Sequence, residues 1–435
     1  MKTMPFYKAS FLIAGRYLRG KGGCLRRIRG AILSVALSLI PLIVVMKVSD
    51  GMIAGITARY LELGTYHLQA IAGRDTEIGD ELTARAAQIP GVTLALRERQ
   101  GVALAYSQHG RGGVTLRAVP PGIWREDAGL REYMEIRSGH FDLDTEDSAV
   151  VGAEIASRLG LAVGDELKIL TTRTLSAESL MPRVSTFIVR GIVSTGYQEM
   201  DKLWIYIPLE RGDRIMSRET SRQLIGIKVE KPHGSLEGIS RNLRAELPPP
   251  LFRIFTWNDL EYAQYVSFAT TRYLLVFIMA LIICVAAVNI FSSLVMIQLE
   301  KREEIAILKS LGMSGPEISG VFIILGFLVG CVGTFAGVAA GLAISVSINE
   351  IIAAVEMFIN GAWDFARRLV FLDVSGGERM RIFNPDFYLE RIPITINLKE
   401  LAIAAGFSLF VALLAAWLPS RNAGKIRPLE VLRKH

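Results

Sequence analysis

Asn289 to Gly315 reads NIFSSLVMIQLEKREEIAILKSLGMSG, and the fold turns on how that stretch is read. Upstream, Tyr273–Leu299 runs 27 residues without a charge. The cluster Glu300-Lys301-Arg302-Glu303-Glu304 follows, then a short amphipathic turn ending at Gly312, then a second uncharged run of 29 residues from Gly320 to Ile348. Both runs exceed the roughly 20 residues a helix needs to cross a bilayer, so each spans it with tilt. The charged cluster is thus a tight loop between two spans. Such a loop is a plain connector or a grip for a partner, and its composition leaves both readings open.

Working outward, the chain of 435 residues is 51% hydrophobic, with the apolar residues gathered in long runs. That patterning belongs to a membrane protein. The net charge of +7 is unevenly spread: residues 1–30 carry +8, residues 300–317 carry −1 and residues 420–435 carry +4. The basic character therefore sits at membrane flanks, and nucleic-acid binding loses its support. Cys24, Cys284 and Cys331 lie in the basic segment and in two apolar runs, so no disulfide framework is expected in the polar region.

Two more spans complete the set. Ala31–Met46 is apolar and is followed by Lys47, whose long stem can snorkel. A secretory signal peptide is the rival reading of this run. Against it stand the 30-residue basic lead and a helical stripe of Met52, Ile56, Tyr60 and Leu63 that continues the helix to Gly64. Leu401–Pro419 is the last span. Sixteen Lys and Arg residues cluster near span ends in the two termini and the 300–317 loop, which places those elements on the cytoplasmic side. The region between the first two spans is then a large outward domain, long enough for its own core.

Within that domain the pattern alternates. HLQAIAG, EIGDELTARAAQIPG and VTLALRERQGVALAYS read as strand, helix and strand, and QLIGIKVEK, GSLEGISRNLRAEL and FRIFTW repeat the order. Between these halves lies a mostly β insert with strands DSAVVGA, DELKILTT, TFIVRGIVS and LWIYIPL and one short helix stopped by Gly160. Beyond it no Pro or Gly interrupts Thr256–Glu300, and Thr256 with Asp259 forms an N-cap signature. A helix starting there would be 44 residues and about 66 Å long, roughly twice the ~30 Å hydrocarbon core, so part of it stands outside as a stalk.

Nothing in the chain supplies chemistry. There is no G-x-x-x-x-G-K-[ST], H-E-x-x-H or G-x-S-x-G, and His67, His109, His140, His233 and His435 are scattered. The four apolar runs carry no internal Asp, Glu, Lys or Arg to relay protons or bind ions. No catalytic, cofactor-binding or metal-binding residues are expected, and any energy must come from a partner. Gly326, Gly330, Gly333, Gly337 and Gly341 lie at small-xxx-small spacing and mark a close helix interface, within the chain or across a dimer. Asn289, with Ser292 and Ser293, reads as interhelical hydrogen bonding. In the loop, Ile305, Leu308 and Leu311 form a narrow apolar stripe, Gly312 ends the turn, and Ser314 with Glu317 caps the next helix.

The run EKREEIAILKSLGMS, preceded by NIFSSLVM, resembles the cytoplasmic loop of the MacB-type ABC transporter permeases, above all the lipoprotein-releasing LolC/LolE family. AGRYLRGKGG, LIVVMKVSDGM, SGHFDLDTEDSAVVGAEIASRLGLAVGDELKIL, GIVSTGY, FNPDFYLERIPITI and PSRNAGKIRPLEVLR extend the likeness in order along nearly the whole chain. The resemblance implies an α-helical membrane protein with four transmembrane helices plus a large α+β periplasmic domain, whose porter-like βαβ halves carry an inserted, mostly β subdomain. It divides the chain into a cytoplasmic segment over 1–30, spans over 31–52, 271–299, 318–348 and 400–419, a periplasmic domain over 53–270 with an insert at about 120–222, a coupling loop over 300–317, a periplasmic loop over 349–399 and a cytoplasmic tail over 420–435.

By the same resemblance the protein is not itself an enzyme. It pairs with a second permease chain, identical or paralogous, on two copies of an ABC ATPase that bind ATP and Mg. It would extract lipoproteins from the outer leaflet of the bacterial inner membrane by mechanotransmission and hand them to a periplasmic carrier. Glu300, Lys301, Arg302, Glu303, Glu304, Ile305, Leu308, Lys309 and Gly312 would form the ATPase-coupling loop. The link between DELKILTT and TFIVRGIVS, with Leu175, Leu180, Met181 and Pro182, is the candidate carrier-binding hook. Met46, Met52, Ile53, Tyr265 and Phe268 are candidates for facing lipid and the lipid-anchored substrate. Two other readings share many of these features: a MacB-like efflux permease and an FtsX-like scaffold that regulates a cell-wall hydrolase. Gly361–Ile382 departs from the family pattern and has no assigned role. FYKASFLIAGRYLRG, with Phe11, Leu12, Tyr17 and Leu18, is expected to lie on the cytoplasmic surface.

Overall fold

The computed structural model describes residues 13–16, 23–73, 76–176, 179–232, 234–247, 251–260, 262–370, 392–394 and 396–426. The chain divides into two compact units, one built mainly on Met52–Phe268 and one holding most of four long apolar helices. Phe11, Leu12, Tyr17 and Leu18 lie outside the described residues.

The long helices are Gly23–Arg59, Tyr262–Glu300, Gly315–Val346 and Leu398–Gly424, each long and apolar enough to cross a membrane. The first runs far beyond Met46, as its stripe requires, and ends in a π-helical turn at Tyr60–Gly64. The second is described from Tyr262 onward, directly after a helical segment at the place where the sequence puts the cap. Thr256 and Asp259 cap the helical segment Trp257–Leu260, with the Thr256 hydroxyl 2.8 Å from the Asp259 carboxylate, and residue 261 lies outside the described residues. After it, Tyr262–Glu300 spans 39 residues, about 58 Å at ~1.5 Å per residue, still far more than the ~30 Å core. Past Val346 a separate amphipathic helix, Ile348–Val370, leaves Met357, Phe358 and Trp363 exposed. Residues 361–370 of the unassigned Gly361–Ile382 stretch lie in this helix, and residues 371–382 lie outside the described residues.

Close packing in the helical unit follows the glycine spacing and stays within the chain. A Cβ on Gly330 would sit 2.8 Å from Ala412 Cβ of the last span, and Gly326 meets Ala416 there even more closely. A Cβ on Gly333, Gly337 or Gly341 would fall 2.7, 2.8 or 2.9 Å from Val35, Leu39 or Ile43 of the first. One glycine row thus admits two different helices, and a side chain at any of these positions would push them apart. Asn289 donates a hydrogen bond to the Ser34 hydroxyl at 2.8 Å, an interhelical tie of the kind its position suggests.

The other unit carries ten strands among the described residues: β1 Leu68–Ala72, β2 Val92–Tyr106, β3 Arg111–Val119, β4 Glu135–Gly139, β5 Ser148–Gly152, β6 Glu166–Ser176, β7 Ser179–Ser194, β8 Trp204–Pro208, β9 Ser221–Val229 and β10 Phe252–Thr256. Four of them lie in the order β10-β1-β9-β2, all antiparallel. Helices Asp80–Ala87 and Glu237–Glu246 share a core with Leu68, Ala70, Ile225 and Ile227 on one face of that sheet. This is the split βαβ arrangement that two strand-helix-strand halves produce.

The insert closes into a barrel. β2 pairs β3, β3 pairs β8, β8 pairs β5, β5 pairs β7, β7 pairs β6, and β6 returns to β2. Closure removes the free edges that short strands would otherwise expose. Every second residue points inward: Ala103 and Ala105, Leu116 and Ala118, Leu167 and Ile169, Phe187 and Val189, Ile205 and Ile207. The barrel starts before residue 120, because β2 serves both sheets. Val92–Gly101 runs along β9, and Arg99–Tyr106 runs along β3. Its alternation continues through this handover, so no local pattern marks the boundary. The short strand β4 likewise gave no signal in the sequence.

A buried ion pair sits at the handover. Arg117 Nε lies 2.6 Å from Glu98 Oε1, and the same guanidinium donates to the Leu63 carbonyl and packs 4.5 Å from the Trp204 ring centroid. Tyr66 donates to the other Glu98 oxygen, and burial together with that carboxylate pushes its phenol pKa well above the ordinary range. Breaking one partner of such a pair leaves an uncompensated buried charge, at a cost of about 3–5 kcal/mol.

Candidate functional site

The charged turn is built as a braced projection. The second span ends at Glu300, Lys301 makes the turn, and Arg302–Ser310 forms a nine-residue helix. Gly312 takes φ +101, and the Gly312 and Met313 amides donate to the carbonyls of Lys309 and Leu308 at 3.0 and 3.1 Å. That is a Schellman close, which needs a residue free to adopt positive φ. The Ser314 amide then donates to Glu317 at 2.7 Å, and the third span begins.

Three contacts fix this projection to its own unit. Arg27 of the first helix pairs with Glu300 at 2.5 Å. Lys309 Nζ donates to the Gly424 and Ile426 carbonyls, at 2.8 and 2.7 Å, and so caps the last helix with a positive charge where its dipole favours one. Ile305 is 1% exposed and belongs to the core of the helical unit. The sequence stripe is therefore divided: Ile305 faces inward, Leu308 is half-buried, and Leu311 is 80% exposed. The outward face is Arg302, Glu303, Glu304, Ile307 and Leu311, with Glu304 tied to Lys301. Ile307 was missed in the sequence because a stripe counted from Ile305 assigns it to the opposite side; at i and i+4 it instead lines up with Glu303 and Leu311.

The hook candidate is regular structure. β6 and β7 pair from Glu166↔Ile188 to Ser176↔Ser179, so the segment read as a long loop is a β-hairpin. β6 leaves β2 after Leu170, and from Thr171 to Ser176 its ladder is with β7 alone, a ribbon of about 20 Å at ~3.3 Å per residue. Leu180 and Met181 pair with Thr174 and Arg173 on this ribbon, Leu175 lies at the register shift between Thr174 and Ser176, and Pro182 is exposed. At the root, the Thr171 hydroxyl donates to the Ile215 carbonyl at 3.0 Å and Arg183 donates to the Arg214 carbonyl at 3.0 Å.

Of the candidates for facing lipid or substrate, Met46 is half-buried in the helical unit, and Met52, Ile53 and Phe268 are half-buried in the other. The Tyr265 side chain lies outside the description.

A charged quartet went unnoticed in the sequence. Lys47, with a side chain 0% exposed, lies 2.7 Å from Glu400 and 3.7 Å from Asp50, while Arg272 lies 2.7 Å from Glu400 and 3.7 Å from Asp50. Alternating charges thereby join the first, second and last long helices. The available signal was position: Lys47, Arg272 and Glu400 each border an apolar run at its outward end.

Two family models match the chain: the MacB-like periplasmic core domain over residues 30–244 and the FtsX-like permease C-terminal region over residues 276–428. The lipoprotein-releasing system transmembrane protein LolC of Xylella fastidiosa (strain 9a5c) is 26% identical over 98% of this chain and 99% of its own length. LolC of Neisseria meningitidis serogroup B is 25% identical over 96% and 97%. LolE of Haemophilus influenzae is 23% identical over 67% of this chain and 66% of that protein.

Proposed function

Because the chain belongs to the MacB-type ABC transporter permeases and is similar along its whole length to the lipoprotein-releasing LolC proteins, we propose that it is the permease subunit of a lipoprotein-releasing complex of the bacterial inner membrane. Its termini and charged turn face the cytoplasm, and its βαβ-and-barrel unit faces the periplasm. The ATPase is a separate subunit in two copies, carrying the ATP and Mg, and a second permease chain completes the complex.

The observation that carries the mechanism is the braced turn. An ATPase docked on Glu303, Glu304, Ile307 and Leu311 grips an element that Arg27 ties to the first helix, Lys309 to the last, and Ile305 to the shared core of the helical unit. A push on that face is delivered to the spans rather than absorbed by loop motion. The four apolar runs carry no internal Asp, Glu, Lys or Arg, which favours displacement of the cargo on the periplasmic side over passage through the membrane. By sequence position at the outward ends of the first two spans, Met46, Met52, Ile53, Tyr265 and Phe268 are the candidates to meet an acyl-anchored substrate, and the β6–β7 ribbon presents two strand edges on which a carrier can add a strand.

Mild solubilisation from native membranes, followed by identification of the proteins that co-purify, tests this reading. An ABC ATPase, a permease partner and bound lipoprotein are the expected companions. Recovery of intact chain with no ATPase would contradict it.

A further inference from the structure

We propose that the βαβ-and-barrel unit holds a binding pocket for an uncharged, extended peptide segment where its two sheets meet. A cavity of about 490 Å³ opens there, lined by Tyr60, Gln69, Gln100, Tyr197, Trp204 and Arg222 among others. Its size falls in the usual ligand-pocket range of ~300–1,000 Å³. The decisive group is Gln69. Leu68 and Ala70 on the same strand point into the core beneath the two helices, so Gln69 faces the opposite way, toward the cavity. It is 1% exposed, and its side-chain oxygen accepts no hydrogen bond from any described residue. A buried amide left in this condition costs stability and asks for a donor.

Two backbone features converge on the same place. Tyr60–Gly64 is a π-helical turn, a distortion that is rare and concentrated at functional sites. Tyr66, next in sequence to the lining residue Thr65, has φ +55, unique among the described non-glycine residues, and strained backbone of this kind also gathers at ligand clamps. Gly64 keeps the wall open, since a Cβ there would come within 3.3 Å of the Trp204 ring.

The lining selects the ligand class. Its charged side chains are already hydrogen-bonded: Arg117 to Glu98 at 2.6 Å, Glu199 to Lys202 at 3.4 Å, and Arg222 to the Gln100 side-chain oxygen at 2.6 Å. Recognition must therefore come from an N–H donated to Gln69 and from apolar contact with Met200, Leu203 and Leu260. A saccharide has donors as well, but it would need a bare aromatic face, whereas the Arg117 guanidinium lies against Trp204 and Tyr60 and Tyr197 pack edge to face on each other. An extended peptide supplies an amide N–H and small side chains together.

The test uses the full chain in nanodiscs, labelled with 5-fluorotryptophan, with the Trp204 fluorine signal assigned through Trp204→Phe. N-acetylated, C-amidated tetrapeptides of Gly, Ser, Ala and Leu are the probes, and N-acetylchitobiose is the competing class. A saturable peptide-dependent shift at Trp204, weakened about tenfold in Gln69→Leu by loss of one hydrogen bond, is expected. Gln69→Leu should melt at the same or higher temperature, since it removes an unmet polar group, so lost binding will not reflect lost folding. No shift with any peptide, an undiminished shift in Gln69→Leu, or saturation by the saccharide alone would overturn the proposal. The readout is binding rather than transport, so this outcome is independent of the coupling reading above.

Discussion

The charged turn and the β6–β7 hairpin both project from their own units, yet they are held in opposite ways. The turn has an ion pair at its start, a buried isoleucine in its middle and a doubly bonded lysine at its end. The hairpin is bonded at its root by Thr171 and Arg183, and the ladder beyond that point is its own. An element that must deliver force needs bracing along its length. One that must capture a mobile partner needs only a fixed root and available strand edges.

This contrast can be broken most severely at Ile305. Ile305→Ala removes core atoms from beneath the turn and should destabilise the helical unit by about 2–5 kcal/mol, read by denaturant unfolding in detergent. A loss below 0.5 kcal/mol would mean the turn is a loose loop. Lys309→Met should have the next largest effect. It deletes two charge-assisted bonds that close the last helix and should cost about 1–2 kcal/mol in the same assay, with the outer unit's melting unchanged.

The hairpin should respond differently. Replacing residues 172–182 with Asn-Gly keeps Thr171 opposite Arg183 and permits a two-residue turn. Stability of the outer unit should then change by no more than about 0.5 kcal/mol, while carrier capture, measured by pull-down, is lost. Capture that survives the trimming would place the carrier elsewhere.

The smallest effect concerns the barrel surface beside the hairpin root. Arg214, hydrogen-bonded to both oxygens of Glu146 at 2.7 and 2.8 Å, holds that carboxyl below its usual pKa. A depressed carboxylate pKa contributes stability that is present above the unfolded-state value and lost as pH falls through the folded one. Both groups are solvent-exposed, so acidification should lower the barrel's melting temperature only slightly more in the native chain than in Arg214→Gln. An equal acid response in the two would show that the pair contributes nothing.

How much of this was legible beforehand depended on whether the signal was local. The spans, the Gly312 close, the Ser314–Glu317 cap and the βαβ halves are written in runs, periods and caps, and each is found at its place. What escaped depends on contacts between distant residues. The inward turn of Ile305 is decided by helices the loop does not adjoin in sequence. The extension of the barrel back into β2 is decided by the partner of Arg99–Tyr106, since an alternating strand looks alike in either sheet. The Lys47 quartet joins residues as far apart as 47 and 400, and Gln69 reads as an ordinary strand residue until the cavity in front of it is known.

The central claim, that the turn transmits motion, is tested most directly by the ratio of ATP hydrolysed to lipoprotein released in proteoliposomes. The complex would carry Glu303→Lys and Glu304→Lys on this chain. Both carboxylates are exposed on the outward face, so the fold should survive their reversal. The account predicts continued hydrolysis with release reduced by about tenfold or more, the loss of roughly 1.4 kcal/mol of coupling. An unchanged ratio would contradict it and leave the turn a mere connector between two spans.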